Sequence, residues 1–416
     1  MTTATGQRRV AGAPGWFGSV RQALDRPLTS YHLVLGCTAL LLALGLVMVL
    51  SASSVYSFTT HGSPYYVFTH QAVWVAIALP LGWVASRLPL RWLGWLAYPG
   101  LLLSVGLIAL TYHPSLGVLV NGNRNWLAIG PLTLQPSELA KLALVVWAAY
   151  LYARKDALLD SWRHLLVPVL PVSAVVVGLV VGQGDLGTAL VLLAIVLGLL
   201  WVVGAPARFF VVAALAVSAL AFYLAAQEPY RVRRLTGFLN PFEDYQVGGW
   251  QAAHGFFALA SGGWWGVGIG ASRQKWGALP AAHTDFIFAV IGEELGLFGT
   301  LVVLALFLTL AYAGIRIAVR AKDPFVRYVS AGVTVWLLAQ ALINIGAVVG
   351  LVPVIGIPLP LVSYGGSAML PTVVALGMLL GFARAEPGAL TELRSRRRRS
   401  WWRPAATARA GSPPER

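Results

Sequence analysis

Between Tyr31 and Phe382 the chain runs repeatedly through apolar stretches of about 20 residues, the length a helix needs to cross the roughly 30 Å of hydrocarbon in a bilayer. Inside lipid a backbone has to satisfy its own hydrogen bonds, so runs of this kind are helices. Short breaks bearing Arg, Pro or Gly separate them, and we read about ten spans. These begin near Tyr31, His70, Trp92, Ser137, Leu165, Leu186, Phe209, Asp285, Tyr328 and Ser367. With 58% hydrophobic and 11% charged residues and a mean hydropathy of +0.73, the 416 residues lie outside the balance of a water-soluble domain. The expected fold is an all-α polytopic membrane protein. The first apolar segment lacks a small-residue cleavage site and reads as a retained anchor. The single Cys37 excludes an internal disulfide framework.

Lys and Arg in short loops set orientation. An even number of spans puts both tails on one side. That side collects Arg8, Arg9, Arg21, Arg26, Arg87, Arg91, Arg154, Lys155, Arg208, Arg316, Arg320, Lys322 and the tail "RSRRRRSWWR". Both termini are therefore expected in the cytoplasm. The predicted organisation is a cytoplasmic tail over residues 1–26, a ten-helix membrane domain over 27–384, and a basic cytoplasmic tail over 385–416. The net charge of +15 belongs largely to the inner loops and does not point to nucleic acid, because no soluble basic domain accompanies it.

The anomalies lie on the other side. Residues 227–284, between spans seven and eight, form a large outward loop carrying Arg231, Arg233, Arg234, Arg273 and Lys275 against the positive-inside bias. An anionic ligand at the outer leaflet accounts for them, as does pairing with Glu228, Glu243 and Asp244. Within this loop "HGFFALASGGWWGVGIGAS" is too broken to span and too apolar for a solvated loop, which suits a segment packed between helices. A second outward segment holds Arg124, then Glu138 and Lys141, three residues apart and able to pair on one helical face. In "GQGDLGTA", Asp185 stands where a carboxylate caps a helix. "PVIGIPLPLVSYGGSAMLP", with Ser363, Gly365 and Gly366, reads as a bent, non-helical lining.

"HTDFIFAVIGEELG" puts His283, Asp285, Glu293 and Glu294 at the head of an apolar run. Asp285 is either a helix cap or, beside His283 and the cations of the preceding loop, part of a site. On a continuous helix Glu293 would lie about 12 Å deeper, which argues against a close carboxylate pair of the glycosidase kind. The two glutamates are expected to need buried partners. No phosphate-binding loop, zinc cluster or acyl-nucleophile elbow is present, so no nucleotide cofactor is expected. Chemistry at this face has to draw on a substrate already activated in the membrane, and a lipid-linked pyrophosphate sugar fits. It needs a base, positive charge for the leaving group and a groove open to lipid.

"NGNRNWLAIGPLTLQPSELAK", "GDLGTA", "YRVRRLTGFLNP", "SRQKWGALPAAHTDFIFAVIGEELGLFG" and "PLPLVSYGGS" resemble, in order and spacing, the SEDS family (shape, elongation, division and sporulation), which includes FtsW and RodA. The resemblance covers about Tyr31 to Phe382, and "FLNP" and "SRQKW" are more like the division branch, FtsW. It implies a peptidoglycan glycosyltransferase polymerising lipid II on the outer face of the bacterial cytoplasmic membrane, at the septum, and releasing undecaprenyl pyrophosphate. It implies a class B penicillin-binding protein and other divisome membrane proteins as partners. It makes Asp285 the essential acid and points to Arg124 and Lys141; the expected mechanism has Asp285 as general base, directly or with a divalent cation, Mg or Mn. Arg124, Lys141, Arg231, Arg233, Arg234, Lys275 and His283 are the candidate substrate and pyrophosphate contacts. Glu138, Asp185, Glu293, Glu294, Ser363, Gly365 and Gly366 are candidate supporting residues. Ala281 stands where many relatives carry Glu. A lipid II flippase and a noncatalytic divisome scaffold are the alternatives.

Overall fold

The computed structural model describes residues 26–120, 123–130, 132–226, 241–243, 245 and 249–389. Arg231, Arg233 and Arg234 lie outside them. The chain opens with α1 (Thr29–His61), α2 (Tyr66–Ala85), α3 (Leu90–Trp95) and α4 (Ala97–Thr111). Three short strands follow: β1 (Gly117–Val120), β2 (Asn123–Ile129) and β3 (Leu132–Leu134). Then come α5 (Pro136–Arg154), α6 (Trp162–Leu166), α7 (Val169–Gly182), α8 (Leu186–Val203) and α9 (Ala207–Ala226). The last elements are α10 (Trp250–Gly262), α11 (Ile287–Arg320), α12 (Pro324–Val348) and α13 (Gly366–Arg384).

Seven of the described helical segments are long and apolar enough to cross a membrane: α1, α2, α6 with α7, α8, α11, α12 and α13. Two more fall short for visible reasons: the 15-residue α4 depends on α3 for extra length, and α5 carries Glu138 and Lys141 in its first two turns. The 20-residue α9 is apolar, with Arg208 its one charged residue. Large apolar side chains such as Leu40, Leu102 and Leu308 point outward, as a lipid-facing surface requires.

The helices pack with α12 among α5, α8 and α11, and with α13 against α1 and α2. Trp336 on α12 and Tyr152 on α5 are fully buried in this core. Close approach needs small residues: a Cβ on Gly366 would collide with the Trp74 ring of α2. The described chain ends share one face. Arg384 donates to the Tyr31 hydroxyl at 3.2 Å, and Arg320 approaches Glu386 at 4.0 Å.

Two expectations need correcting. The fold is not all-α, because β1, β2 and β3 form an antiparallel sheet in that order, with Val118 opposite Trp126 and Leu127 opposite Leu134. The helix after "HTDF" is neither continuous nor begun at Asp285. It starts at Ile287 and breaks at Gly296, whose φ of 69° is left-handed backbone that glycine tolerates. The glycine-rich stretch after α10 satisfies the break. Val267 and Gly268 N–H groups donate to the Glu293 and Glu294 carbonyls at 2.9 and 3.0 Å. Leu297 and Phe298 N–H groups donate to the Gly263 and Trp264 carbonyls at 2.9 and 3.3 Å. Non-helical backbone at membrane depth is tolerable only when paired in this way. The packed-segment reading of residues 254–272 therefore holds for its second half, whereas its first half lies in α10.

Candidate active site

The face opposite the chain ends gathers the sheet, α10, the turn before α11 and the loop between α12 and α13. Asp285 sits in that turn, half-buried, two residues before the helix. The capping reading fails, because Phe286 occupies the N-cap position and no side chain caps the helix. The turn winds around the Ala281 carbonyl, which accepts from the N–H groups of Thr284 and Phe286 at 3.1 and 3.2 Å. Ala281 itself has a φ of 54°, an uncommon conformation for a residue with a Cβ and one that recurs at functional sites.

The 353–365 loop is laced onto this turn. Ser363 Oγ donates to the Thr284 carbonyl at 2.6 Å and accepts from Leu359 N–H at 2.8 Å. Tyr364 N–H donates to the His283 carbonyl at 2.9 Å. Gln71 of α2 holds the loop's far end, donating to the Ser363 carbonyl and accepting from Gly365 N–H, both at 3.3 Å. Asn344 of α12 ties the two pieces together, its Nδ2 donating to the Asp285 carbonyl at 2.8 Å and to the Ile357 carbonyl at 2.7 Å. One turn earlier, Gln340 donates to the Pro358 carbonyl at 2.9 Å. Asp285 and Asn344 line a small cleft with Ile343, Ala347 and residues 354–357.

Behind the cleft lies the expected Glu138–Lys141 pair, at 2.6 Å and buried. Lys141 Nζ also donates to Gln340 Oε1 at 2.9 Å and lies 5.5 Å from the Trp336 ring centre. Lys141 therefore acts on the cleft through Gln340, and its buried ammonium offers no surface to a pyrophosphate. Asp185 caps α8 by accepting from Thr188 N–H at 3.0 Å, and also receives Gln135 Nε2 at 2.6 Å. Arg124 sits half-buried on β2.

Glu293 and Glu294 find the partners they need. Glu293 accepts from Ser272 Oγ at 2.5 Å and from Arg273 N–H at 2.8 Å. Glu294 takes Lys275 Nζ at 2.9 Å, with Ser51 Oγ of α1 donating at 2.7 Å. Lys275 further donates to the Gly270 carbonyl at 2.7 Å and to Ser51 Oγ at 3.0 Å, which uses all three ammonium protons. The expected ligand-binding role of Lys275 is thus replaced by a buried ion pair, while Arg273 is exposed.

His283 is also revised as a cationic contact. Its ring stacks on Tyr56 at 5.0 Å between centroids and meets Tyr364 at 5.7 Å. Burial pushes its pKa down to about 4, so the imidazole is neutral at ordinary pH.

Sequence reasoning missed Gln340, Asn344, Gln71 and Ser51. The first two did carry a signal, being amides four residues apart in an otherwise apolar helix.

Fold and site together define a class: a polytopic helical membrane protein with a carboxylate cleft at one membrane face, braced by buried ion pairs and amides. Within it, the chain belongs to the FtsW/RodA/SpoVE family of cell cycle proteins, which matches residues 31–387. Over 374 residues it is 44% identical to the probable peptidoglycan glycosyltransferase FtsW of Mycobacterium tuberculosis, covering 90% of this chain and 71% of that protein. Among solved structures it is similar to a chain of a peptidoglycan synthase complex that coordinates polymerization and crosslinking, with a TM-score of 0.68 and 30% identity over 85% of this chain and 98% of that one. It is also similar to the rod shape determining protein RodA of Thermus thermophilus, with a TM-score of 0.63 and 29% identity over 85% of this chain and 96% of that one.

Proposed function

We propose that this protein is a peptidoglycan glycosyltransferase that polymerises lipid II into glycan strands at the outer face of the cytoplasmic membrane, during septal wall synthesis. The observation that carries the reading is Asp285, a carboxylate at the lip of a membrane cleft whose backbone is fixed by Asn344 and whose turn is fixed by Ser363. The seven spans together with α4, α5 and α9 make ten, with both tails in the cytoplasm and the cleft outside. A class B penicillin-binding protein is the crosslinking partner and lipid II the substrate.

In the reaction Asp285 takes the proton from the 4-hydroxyl of the acceptor's terminal N-acetylglucosamine. The freed oxygen bonds to the anomeric carbon of the donor, the bond from that carbon to the pyrophosphate oxygen breaks, and undecaprenyl pyrophosphate leaves with the electron pair. Arg124 on β2 and the arginines at 231, 233 and 234 are the candidates for holding the pyrophosphates. Among the described residues no group of three or more His, Cys, Asp or Glu gathers to cage a metal. Asp285 and the buried Asn344 Oδ1, which has no hydrogen-bond partner on the wall that the two share, would hold a magnesium or manganese ion. When bound, that ion supplies charge neutralisation of the leaving group.

The test uses proteoliposomes containing the full chain, its class B partner and labelled lipid II. Muramidase-sensitive strands are expected. Lipid II that crosses the bilayer without forming strands would contradict the reading and favour a transporter.

A further inference from the structure

In the 353–365 loop, Gly356 stands between two wedged isoleucines. Ile355 and Ile357 both pack onto α8 at Gly187, where a Cβ would fall 2.8 Å from Ile357 Cγ1 and 3.2 Å from Ile355 Cγ2. From the other side Asn344 holds the Ile357 carbonyl at 2.7 Å, and Gln340 holds the next carbonyl, that of Pro358, at 2.9 Å. The backbone between α8 and α12 is thereby fixed, and Gly356 is held on the wall of the cleft that it lines with Asp285.

The bare face of this glycine is turned to the carboxylate. A Cβ on Gly356 would stand 3.5 Å from Asp285 Oδ2, in van der Waals contact with that oxygen. Its φ of 82° gives one reason for a glycine, since left-handed backbone strains residues that carry a Cβ. That reason is not sufficient here. Leu361 in the same loop has a φ of 64°, and Ala281 in the turn opposite has one of 54°, so the fold accepts side chains on left-handed backbone at both sides of the cleft. The position beside Oδ2 supplies the second reason. A general base has to come within about 2.6–3.2 Å of the hydroxyl that it deprotonates, and a methyl in contact with its oxygen takes up the room that the hydroxyl needs.

We propose that Gly356 determines access to the site: its missing side chain keeps Asp285 Oδ2 open to the acceptor hydroxyl, and Oδ2 is the oxygen that takes the proton. This deepens the polymerase reading and rests on it for the identity of the acceptor. The acceptor's O–H proton passes to Oδ2 over the face of Gly356, the freed oxygen bonds to the anomeric carbon of the donor, and the pyrophosphate oxygen leaves with the electron pair. Gly187 is the positioning residue behind it, because the room it leaves for Ile355 and Ile357 sets where the Gly356 backbone lies.

The experiment measures kcat and KM for lipid II in the proteoliposome assay for the native chain, Gly356→Ala, Gly356→Asn and Gly204→Ala. Gly204 closes the far end of α8 with a φ of 94° and open space where a Cβ would go, so its variant carries the backbone strain without the carboxylate. Asparagine tolerates left-handed backbone better than alanine does but is larger, which sets strain and obstruction against each other. Gly356→Ala is expected to lower kcat about 10²-fold with KM within about twofold, the loss that a misplacement of about 1 Å at a reacting centre brings. Gly356→Asn is expected to be as slow or slower, and Gly204→Ala to stay within about twofold of native. Four results overturn the proposal: a native rate in Gly356→Ala, a raised KM with kcat unchanged, Gly356→Asn faster than Gly356→Ala, or an equal loss in Gly204→Ala. A second readout does not depend on the reaction. Labelling of Asp285 by a water-soluble carbodiimide, followed by peptide mass spectrometry, is expected in the native chain and lost in Gly356→Asn; equal labelling of the two also overturns the proposal. A native chain that makes no glycan, yet shows this difference in labelling, leaves the access claim standing and removes the polymerase reading instead.

Discussion

Asn344 shows how a single amide controls the candidate site. Its Nδ2 reaches two carbonyls on two separate loops, so the orientation of Asp285 follows from α12 as much as from its own turn. His283, two residues from Asp285, was legible as a neighbour of the site but not as a neutral ring, because its burial depends on Tyr56 and Tyr364, which are distant in sequence. The depressed pKa carries a sign. An unfolded His283 titrates near its ordinary 6.5 and the folded one near 4, so between these values the unfolded chain binds more protons and stability falls as pH falls. The melting temperature in detergent should therefore drop on acidification from pH 6.5 towards 4, and His283→Phe should flatten the slope. An unchanged slope in His283→Phe would remove burial of this imidazole as the cause.

At the scale of elements, α11 and the glycine-rich stretch before it act as one unit, the stretch filling the hydrogen bonds that the break at Gly296 opens. Buried charges in the same region are tied across three segments by Lys275, Glu294 and Ser51. Removing one partner of such a pair leaves a buried charge uncompensated, at a cost of about 3–5 kcal/mol. Lys275→Met should accordingly lower thermal stability sharply, and adding Glu294→Gln should restore most of it. If the double variant is as unstable as the single one, the pair is not what holds the segment. The spans themselves were readable from hydropathy, since lipid leaves only helices open to long apolar runs. The sheet was not, because β1, β2 and β3 are short and owe their stability to pairing with one another and to packing on α4, α5 and α13. The break in α11 was equally hidden, since a glycine inside an apolar run also fits a straight helix.

Taken whole, the molecule has two unlike faces. One carries both described chain ends, held by Arg384 on Tyr31 and Arg320 beside Glu386. The other carries Asp285 in its cleft, with Glu138, Lys141 and Gln340 bracing it from behind. This asymmetry is what a polymerase working at one leaflet requires, and the motif order made it visible in outline. The sequence did not show which cations face the cleft and which are spent internally, because that depends on burial. The central claim is that Asp285 performs chemistry. The most direct test compares lipid II polymerisation by the native chain and by Asp285→Asn, each with the proposed class B penicillin-binding protein partner and matched in melting temperature. The account predicts strands from the native complex and a rate lower by a factor of about 10² or more for the variant. Equal rates from the two would contradict it.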